Sequence, residues 1–180
     1  MENKTQKLAM TGLMMALCMI ATIFVRVPIP FTQGYVHIGD SMVFMSALIL
    51  GRKNGACAAG VGAALADVLG GFAMWAPWTF VIKAGMVLIL GTAAAIADKQ
   101  RGKSSAVVRR AEVALGMIAS GVFMAAAYWL AEGIMYGNFV AALAGVPWNI
   151  GQFAVGMVLA MLLQEALCRT QAKKMFTYHV

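Results

Sequence analysis

The sequence predicts an all-α integral membrane protein, a six-transmembrane-helix bundle with N and C termini cytoplasmic. Three observations carry that expectation. Hydrophobic residues make up 62% of the 180 positions and charged residues only 12%, with a mean hydropathy of +0.80. An average soluble domain has about 45–50% apolar and about 25% charged residues. The apolar residues come in runs punctuated by Pro, Gly and short basic clusters, and the clusters alternate with the runs so that one side of a six-span chain collects nearly all of them. A water-soluble core cannot hide this much apolar surface, because its outside must still be covered by polar groups. A bilayer removes that demand, and six spans of about 20 residues use most of a single membrane domain, here the whole of 1–180.

The first apolar run, 8–25, has no small-residue cleavage site before Arg26 and reads as a retained helix ended by Pro28 and Pro30. The second, 39–50, is closed by Gly51-Arg52-Lys53-Asn54-Gly55, and the third, 55–69, by Gly70-Gly71. Both are shorter than a full span of about 20 residues. The fourth covers 79–97 after Pro77, the fifth 109–130 and the sixth 148–167. Lys4 and Lys7 precede the first helix, Arg52 and Lys53 join the second to the third, and Lys99, Arg101, Lys103, Arg109 and Arg110 join the fourth to the fifth. With Arg169, Lys173 and Lys174 after the sixth, these are 12 of the 14 Lys and Arg. The positive-inside rule puts that side in the cytoplasm. A five- or seven-span chain would scatter the same charges over both sides. The net charge of +7 therefore orients a membrane protein and does not mark a nucleic-acid surface. Cys18, Cys57 and Cys168 show no metal-ligand spacing and read as small core residues. Trp75, Trp78, Trp148, Tyr35 and Tyr136 gather at the opposite boundary, more lopsidedly than an aromatic belt requires.

Two rows of small residues stand out. Ala9, Gly12 and Ala16 share one stripe of the first helix, and Gly55, Ala59, Gly62, Ala66 and Gly70 form another on the third. Such rows let helix backbones approach closely. For the third helix the expectation is packing inside this chain; for the first, an external partner is an equal reading.

The chemistry lies in the polar residues of the outer third. Arg26, Gln33, Tyr35, His37 and Asp40 occupy the first outer loop and the start of the second helix, and Asp67 and Lys83 lie about one turn from the outer ends of the third and fourth. Tyr128 and Glu132 are four apart on the fifth helix, Asn138 is in the last outer loop, and Asn149 and Gln152 open the sixth. One ionisable group at such depth is unremarkable; several at one level predict a hydrated pocket that opens outward. Each has a structural alternative: Asp40 as an N-cap, Asp67 with Lys83 as an ion pair between helices, His37 as loop structure, Glu132 as a solvated helix end. Asn149 and Gln152 favour ligand recognition, since amides offer directional donors and acceptors. At the inner side Glu165 and Arg169 form an i, i+4 pair, and Glu112 is expected to neutralise Arg109 or Arg110.

No phosphate-cradling G-x-x-x-x-G-K-[ST], G-x-S-x-G or H-E-x-x-H occurs, and His37 and His179 stand far apart, so neither ATP hydrolysis, a hydrolase nor a histidine-rich metal site is expected. No cofactor is expected. Against this background five stretches together resemble the substrate-binding S components of energy-coupling factor (ECF) vitamin transporters: VHIGD at 36–40, LILGRKNGA at 48–56, AALADVLGG at 63–71, APWTFVIKAG at 76–85 and NIGQ at 149–152. The subgroup is the riboflavin type, which includes proteins linked to pyridoxine and hydroxymethylpyrimidine.

The resemblance implies capture of a vitamin or its precursor from outside, at the plasma membrane of a prokaryote, by a site drawn from Asp40, Asp67, Trp78, Lys83, Tyr128, Glu132, Asn149 and Gln152. It also implies docking through Ala9, Gly12 and Ala16 onto a transmembrane coupling subunit driven by two ATPase subunits, which hydrolyse the ATP. The family pattern there is A-x-x-x-A, and this chain has Gly12-x-x-x-Ala16. A solitary carrier or channel, and more remotely a membrane enzyme, are the other readings of the same polar cluster.

Overall fold

The structure is a computed structural model that describes residues 4–28 and 35–178. Pro30, Gln33 and His179 lie outside the described residues. The chain runs α1 (Lys4–Phe24), a hairpin of β1 (Arg26–Pro28) and β2 (Tyr35–His37), α2 (Asp40–Leu69), α3 (Ala76–Lys99), α4 (Ala106–Tyr136), the short α5 (Phe139–Ala142), and α6 (Val146–Cys168). The strands pair antiparallel with Arg26 opposite His37 and Pro28 opposite Tyr35. A 3₁₀ turn, Leu143–Gly145, leads into α6 and another, Gln171–Met175, follows it. Four helical stretches are long and apolar enough to cross a membrane: Lys4–Phe24, Ala76–Lys99, Ala106–Tyr136 and Phe139–Cys168.

The helix limits follow local chemistry. Pro77 and Pro147 sit in the first turns of α3 and α6, where a missing N–H removes no helical hydrogen bond. Ser105 accepts from the Val108 N–H, 3.3 Å away, so α4 starts at Ala106 and not at 109. Gly137, with φ 68°, ends it in the left-handed conformation six residues beyond the expected limit of 130. The hairpin was not expected, and α1 begins at Lys4, four residues before the apolar run does.

The expected loop between the second and third helices is absent. One helix of 30 residues, α2, is broken at Gly51 alone (φ 72°, ψ −171°), and Arg52 to Gly55 are helical. That backbone region is open essentially to glycine only. The break reverses the chain. A Cβ placed on Gly55 would lie 2.5 Å from the Ser46 carbonyl oxygen, whereas residues nine apart in a straight helix are about 13.5 Å apart. The halves of α2 therefore fold against each other as the two short helices the sequence predicts. Carbonyls freed at such a break need partners within the protein. The C-terminal segment supplies them: Thr177 donates its N–H to the Leu48 carbonyl (3.1 Å) and its hydroxyl to that of Ile49 (2.7 Å), while Phe176 is buried beside it.

Six helical segments thus pack with α2 at the centre, touching α1, α3 and α6, and with α4 against α3 and α6. Phe44, Leu48, Met86, Leu90, Met117 and Met124 form the middle of the core. Gly55, Ala59, Gly62 and Ala66 are buried within it, and Gly62 lies against Met15 and Cys18 of α1. The stripe on α1 behaves differently. Ala9 and Gly12 are exposed, Ala16 is half-buried, and a Cβ on Gly12 would meet nothing within 4 Å. Only Cys18 of the three cysteines is in the core; Cys57 and Cys168 are exposed.

Thermal unfolding of detergent-solubilised protein tests the break. Gly51→Ala is expected to lower stability by about 1–3 kcal/mol through backbone strain. Thr177→Val removes one hydrogen-bond donor and lowers it by about 1 kcal/mol. A Gly51→Ala protein as stable as the parent would show that the reversal needs no glycine.

Candidate functional site

At the hairpin end of the bundle, Arg26 follows α1 by two residues and ties three elements together. Its Nη2 donates to the Ala66 carbonyl at 3.0 Å, its Nη1 to that of Gly70 at 3.5 Å and its Nε to that of Thr22 at 3.4 Å. The guanidinium lies over the Tyr35 ring, 4.8 Å from its centroid. Tyr35 stacks on Phe72 (4.7 Å) and donates its hydroxyl to Asp67 Oδ1. Burial, and then this bond to a carboxylate, push the Tyr35 phenol above its ordinary pKa. The other oxygen, Asp67 Oδ2, is buried with no hydrogen-bond partner.

Deeper lies an ion pair. Asp40 is the first residue of α2, and its carboxylate is spent inward: Oδ1 takes a hydrogen bond from Lys83 Nζ, and both side chains are fully buried. Asp40 Oδ2 accepts from Gln152 Nε2 at 2.8 Å; Gln152 Oε1 accepts from the His37 N–H at 3.0 Å. This chain fixes the amide orientation, because the oxygen must meet a donor and the nitrogen a carboxylate. Gly156 permits it. A Cβ there would fall 2.8 Å from the Asp40 Cβ, so α6 can sit against the start of α2 with Gln152 one turn above. His37 Nδ1 accepts from the Gly39 N–H at 3.0 Å. Burial first, and the nearby Lys83 charge second, lower its pKa to about 3, so the ring is neutral.

The Lys83 ammonium also meets Met124 Sδ at 3.0 Å and the Tyr128 ring, 5.4 Å from its centroid. Tyr128 donates to Thr79 Oγ1 at 3.2 Å and packs its ring beside Trp75, 6.1 Å away. Trp75 stands 6.3 Å from Tyr136 as well, and its Nε1 is buried without an acceptor.

Of the residues predicted from sequence, Asp40, Lys83, Tyr128 and Gln152 form one connected group, and Asp67 joins its rim through Tyr35. Glu132 and Asn149, each 8% exposed, flank Gly145: a Cβ there would lie 2.9 Å from Glu132 Oε2 and 3.9 Å from Asn149 Nδ2. Glu132 is thus buried, not a solvated helix end. Trp78 is half-buried and packs against the apolar core. Asn138 caps α5, its side chain accepting from the Val140 and Ala141 N–H groups. Asp40 makes no cap hydrogen bond, because its carboxylate points at Lys83. The ion pair that Asp67 and Lys83 offered as a structural alternative is formed instead by Asp40 and Lys83. At the far end Arg169 pairs with Glu165 at 3.2 Å, but Glu112 forms no ion pair among the described residues and its Oε2 lacks a partner. Thr79 and Met124 were missed, and Trp75 was read only as one of the outer aromatics. Their spacing was a usable signal: 79 and 83 on α3, with 75 at its N-cap, and 124, 128 and 132 on α4, each mark one helix face.

The family model for the "ECF-type riboflavin transporter, S component" matches residues 2–169. The chain is 27% identical over 172 residues to the "Thiamine precursor transporter HmpT" of Lactococcus lactis subsp. cremoris, covering 94% of this chain and 93% of that protein. It is 35% identical over 118 residues to an uncharacterised protein encoded in a gap 3′ region of Pyrococcus woesei, covering 66% of this chain and 72% of the relative. A solved structure described as the S component of a bacterial ECF transporter superposes with a TM-score of 0.69 at 16% identity, over 93% of this chain and 98% of that one, which shows a shared fold. With a family match over nearly its whole length and apolar helices of membrane-crossing size, this chain is a multi-pass membrane protein belonging to the ECF-type riboflavin transporter S components, a family of transporter subunits and not of enzymes.

Proposed function

We propose that this chain captures a small vitamin-like heterocycle at the hairpin end of the bundle and delivers it to an ATP-driven module. The ligand of first choice is hydroxymethylpyrimidine, with pyridoxine next and riboflavin or a modified base behind. In this reading all six helical segments span the plasma membrane of a prokaryote, both termini are cytoplasmic, and the hairpin end faces outward. The 12 basic residues at the Gly51 end support that orientation. The module comprises a transmembrane coupling subunit and two ATPase subunits, which supply the hydrolysis; this chain holds no cofactor.

The observation that carries the reading is a pair of unspent polar atoms within an aromatic cluster. Asp67 Oδ2 is a buried acceptor and Trp75 Nε1 a buried donor that no partner meets in hydrogen-bond geometry, their polar neighbours being the Thr79 and Tyr136 hydroxyls. Buried polar groups are nearly always paired, so a partner offering both functions answers both. An aminopyrimidine does: its exocyclic amine donates, its ring nitrogens accept, and its face suits Trp75, Tyr128 and Tyr35. The name of the L. lactis relative points the same way, since hydroxymethylpyrimidine is a precursor of thiamine.

The stripe of Ala9, Gly12 and Ala16 supports docking of the coupling subunit on α1. Ala9 and Gly12 are exposed, with open space beside Gly12, and Ala16 is half-buried.

Tryptophan quenching by a panel of vitamins and precursors tests the site; silence across the panel at micromolar concentration would overturn the reading. Asp67→Asn is expected to weaken binding by about tenfold or more, equivalent to about 1.4 kcal/mol. Lys83→Met strands a buried carboxylate and is expected to destabilise the fold by about 3–5 kcal/mol. Pairing it with Asp40→Leu should restore stability without restoring ligand affinity, which separates the ion pair's structural part from its part in the site. For docking, Ala16→Trp should abolish co-purification with the coupling subunit while leaving quenching intact; retained co-purification would sink the assignment to α1. Substrate flux through liposomes holding this protein alone would favour the solitary carrier.

A further inference from the structure

Two adjoining hollows between α4 and α6 lie at the Gly51 end, away from the site above. One is a small groove of about 100 Å³, lined by Val113, Ala114, Met117 and Met161 together with Arg110, Gln164 and Glu165. The other is a basic hollow of about 430 Å³ lined by Arg101, Arg109, Arg110, Lys173 and Lys174, within the ordinary range of about 300–1,000 Å³ for ligand sites. Arg110, Gln164 and Cys168 border both, so the two are neighbours. From these we infer an anionic phospholipid site, with the phosphate headgroup among the cations and an acyl chain along the groove.

The charge is one-sided. No Asp or Glu lines the basic hollow among the described residues. Glu165, in the groove, is engaged by Arg110 at 3.7 Å and Arg169 at 3.2 Å. The cations are also held in place. Arg109 donates from Nη1 to the Ser104 carbonyl at 2.7 Å, while its Nε is buried without an acceptor. Lys173 and Lys174 ride on the turn Gln171–Met175, which the buried Phe176 and the two Thr177 hydrogen bonds anchor to α2. A planar guanidinium fork and paired ammonium groups suit a phosphate diester better than a neutral or zwitterionic head. The exposed Met161 and half-buried Ala114 of the groove offer an acyl chain apolar surface that a free anion would not cover. Basic pockets between helices on the cytoplasmic side are sites of this kind.

Native mass spectrometry of the full chain, released from nanodiscs of equimolar phosphatidylglycerol and phosphatidylcholine, tests the inference. The expected result is a 1:1 phosphatidylglycerol adduct retained about tenfold over phosphatidylcholine. Arg109→Gln with Lys173→Gln and Lys174→Gln should bring that ratio close to one. Met161→Trp, which fills the groove at a 43% exposed position, should reduce retention while keeping every cation. Equal retention of the two lipids by the parent protein overturns the inference without reliance on any variant. So does unchanged selectivity in the triple variant. Displacement of the lipid by excess inorganic phosphate or glycerol phosphate would show a site for a free anion and overturn the assignment to lipid.

Discussion

The Asp40–Lys83 pair is the constraint around which the hairpin end is built. Both groups are fully buried among apolar helices, where an isolated charge is expensive enough to unfold a marginal protein. Their presence therefore obliges neighbours to complete the hydrogen bonding, and each neighbour brings its own element. Gln152 closes the second carboxylate oxygen from α6, the His37 backbone closes Gln152 from β2, and Met124 and Tyr128 cover the ammonium from α4. Five elements, α2, α3, α4, α6 and β2, thus meet around one ion pair. Buried ion pairs are weak contributors to stability but demand a particular arrangement, and here the arrangement also fixes the depth and orientation of the groups around Asp67 and Trp75.

The pair depends on where α2 begins, and that depends on the reversal at Gly51. A continuous 30-residue helix would be about 45 Å long, too long to put Asp40 and Asp67 at the same end of the bundle. The single glycine returns the chain within one residue, and small residues let the halves close tightly. Reversal leaves the Leu48 and Ile49 carbonyls to be satisfied, and Thr177 does so from the far terminus. The same bonds hold the basic turn Gln171–Met175 in place, so the two ends of the molecule are organised by one glycine.

Much of this was legible in the sequence because it rests on composition and period. The apolar runs, their order and the one-sided basic clusters follow from burial in lipid. The glycine-bearing stretch at 51–55 marked the reversal, although a loop was expected where one residue suffices. The polar level could be read from distance to helix ends. Partners could not: Lys83 lies within reach of either Asp40 or Asp67 in any one-dimensional account, and the choice is made by α6, whose Gly156 brings Gln152 against Asp40. Strands of three residues, such as β1 and β2, leave no periodic signal, which is why the hairpin was invisible. Thr79 and Met124 were legible in principle, through their i, i+4 spacing to Lys83 and Tyr128, and Trp75 through the same spacing to Thr79.

The exposed face of α1 and the polar site are joined by a short mechanical path. Only Met14, Cys18 and Thr22 of α1 are buried, so this helix is the least embedded of the long ones. A single residue, Val25, separates its end from β1. Arg26, the first residue of that strand, is bonded to the carbonyls of Ala66 and Gly70 and lies over Tyr35, which is bonded to Asp67. A shift of α1 against α2 must therefore either break the Arg26 bonds or carry the hairpin with it, and either event changes the surroundings of Asp67 and the His37–Gln152 bond. Under the proposed function, a partner seated on the Gly12 stripe and a ligand held beside Asp67 would act on the same connected elements. Binding energy at one is reciprocally linked to the other to the extent that both favour the same placement of α1.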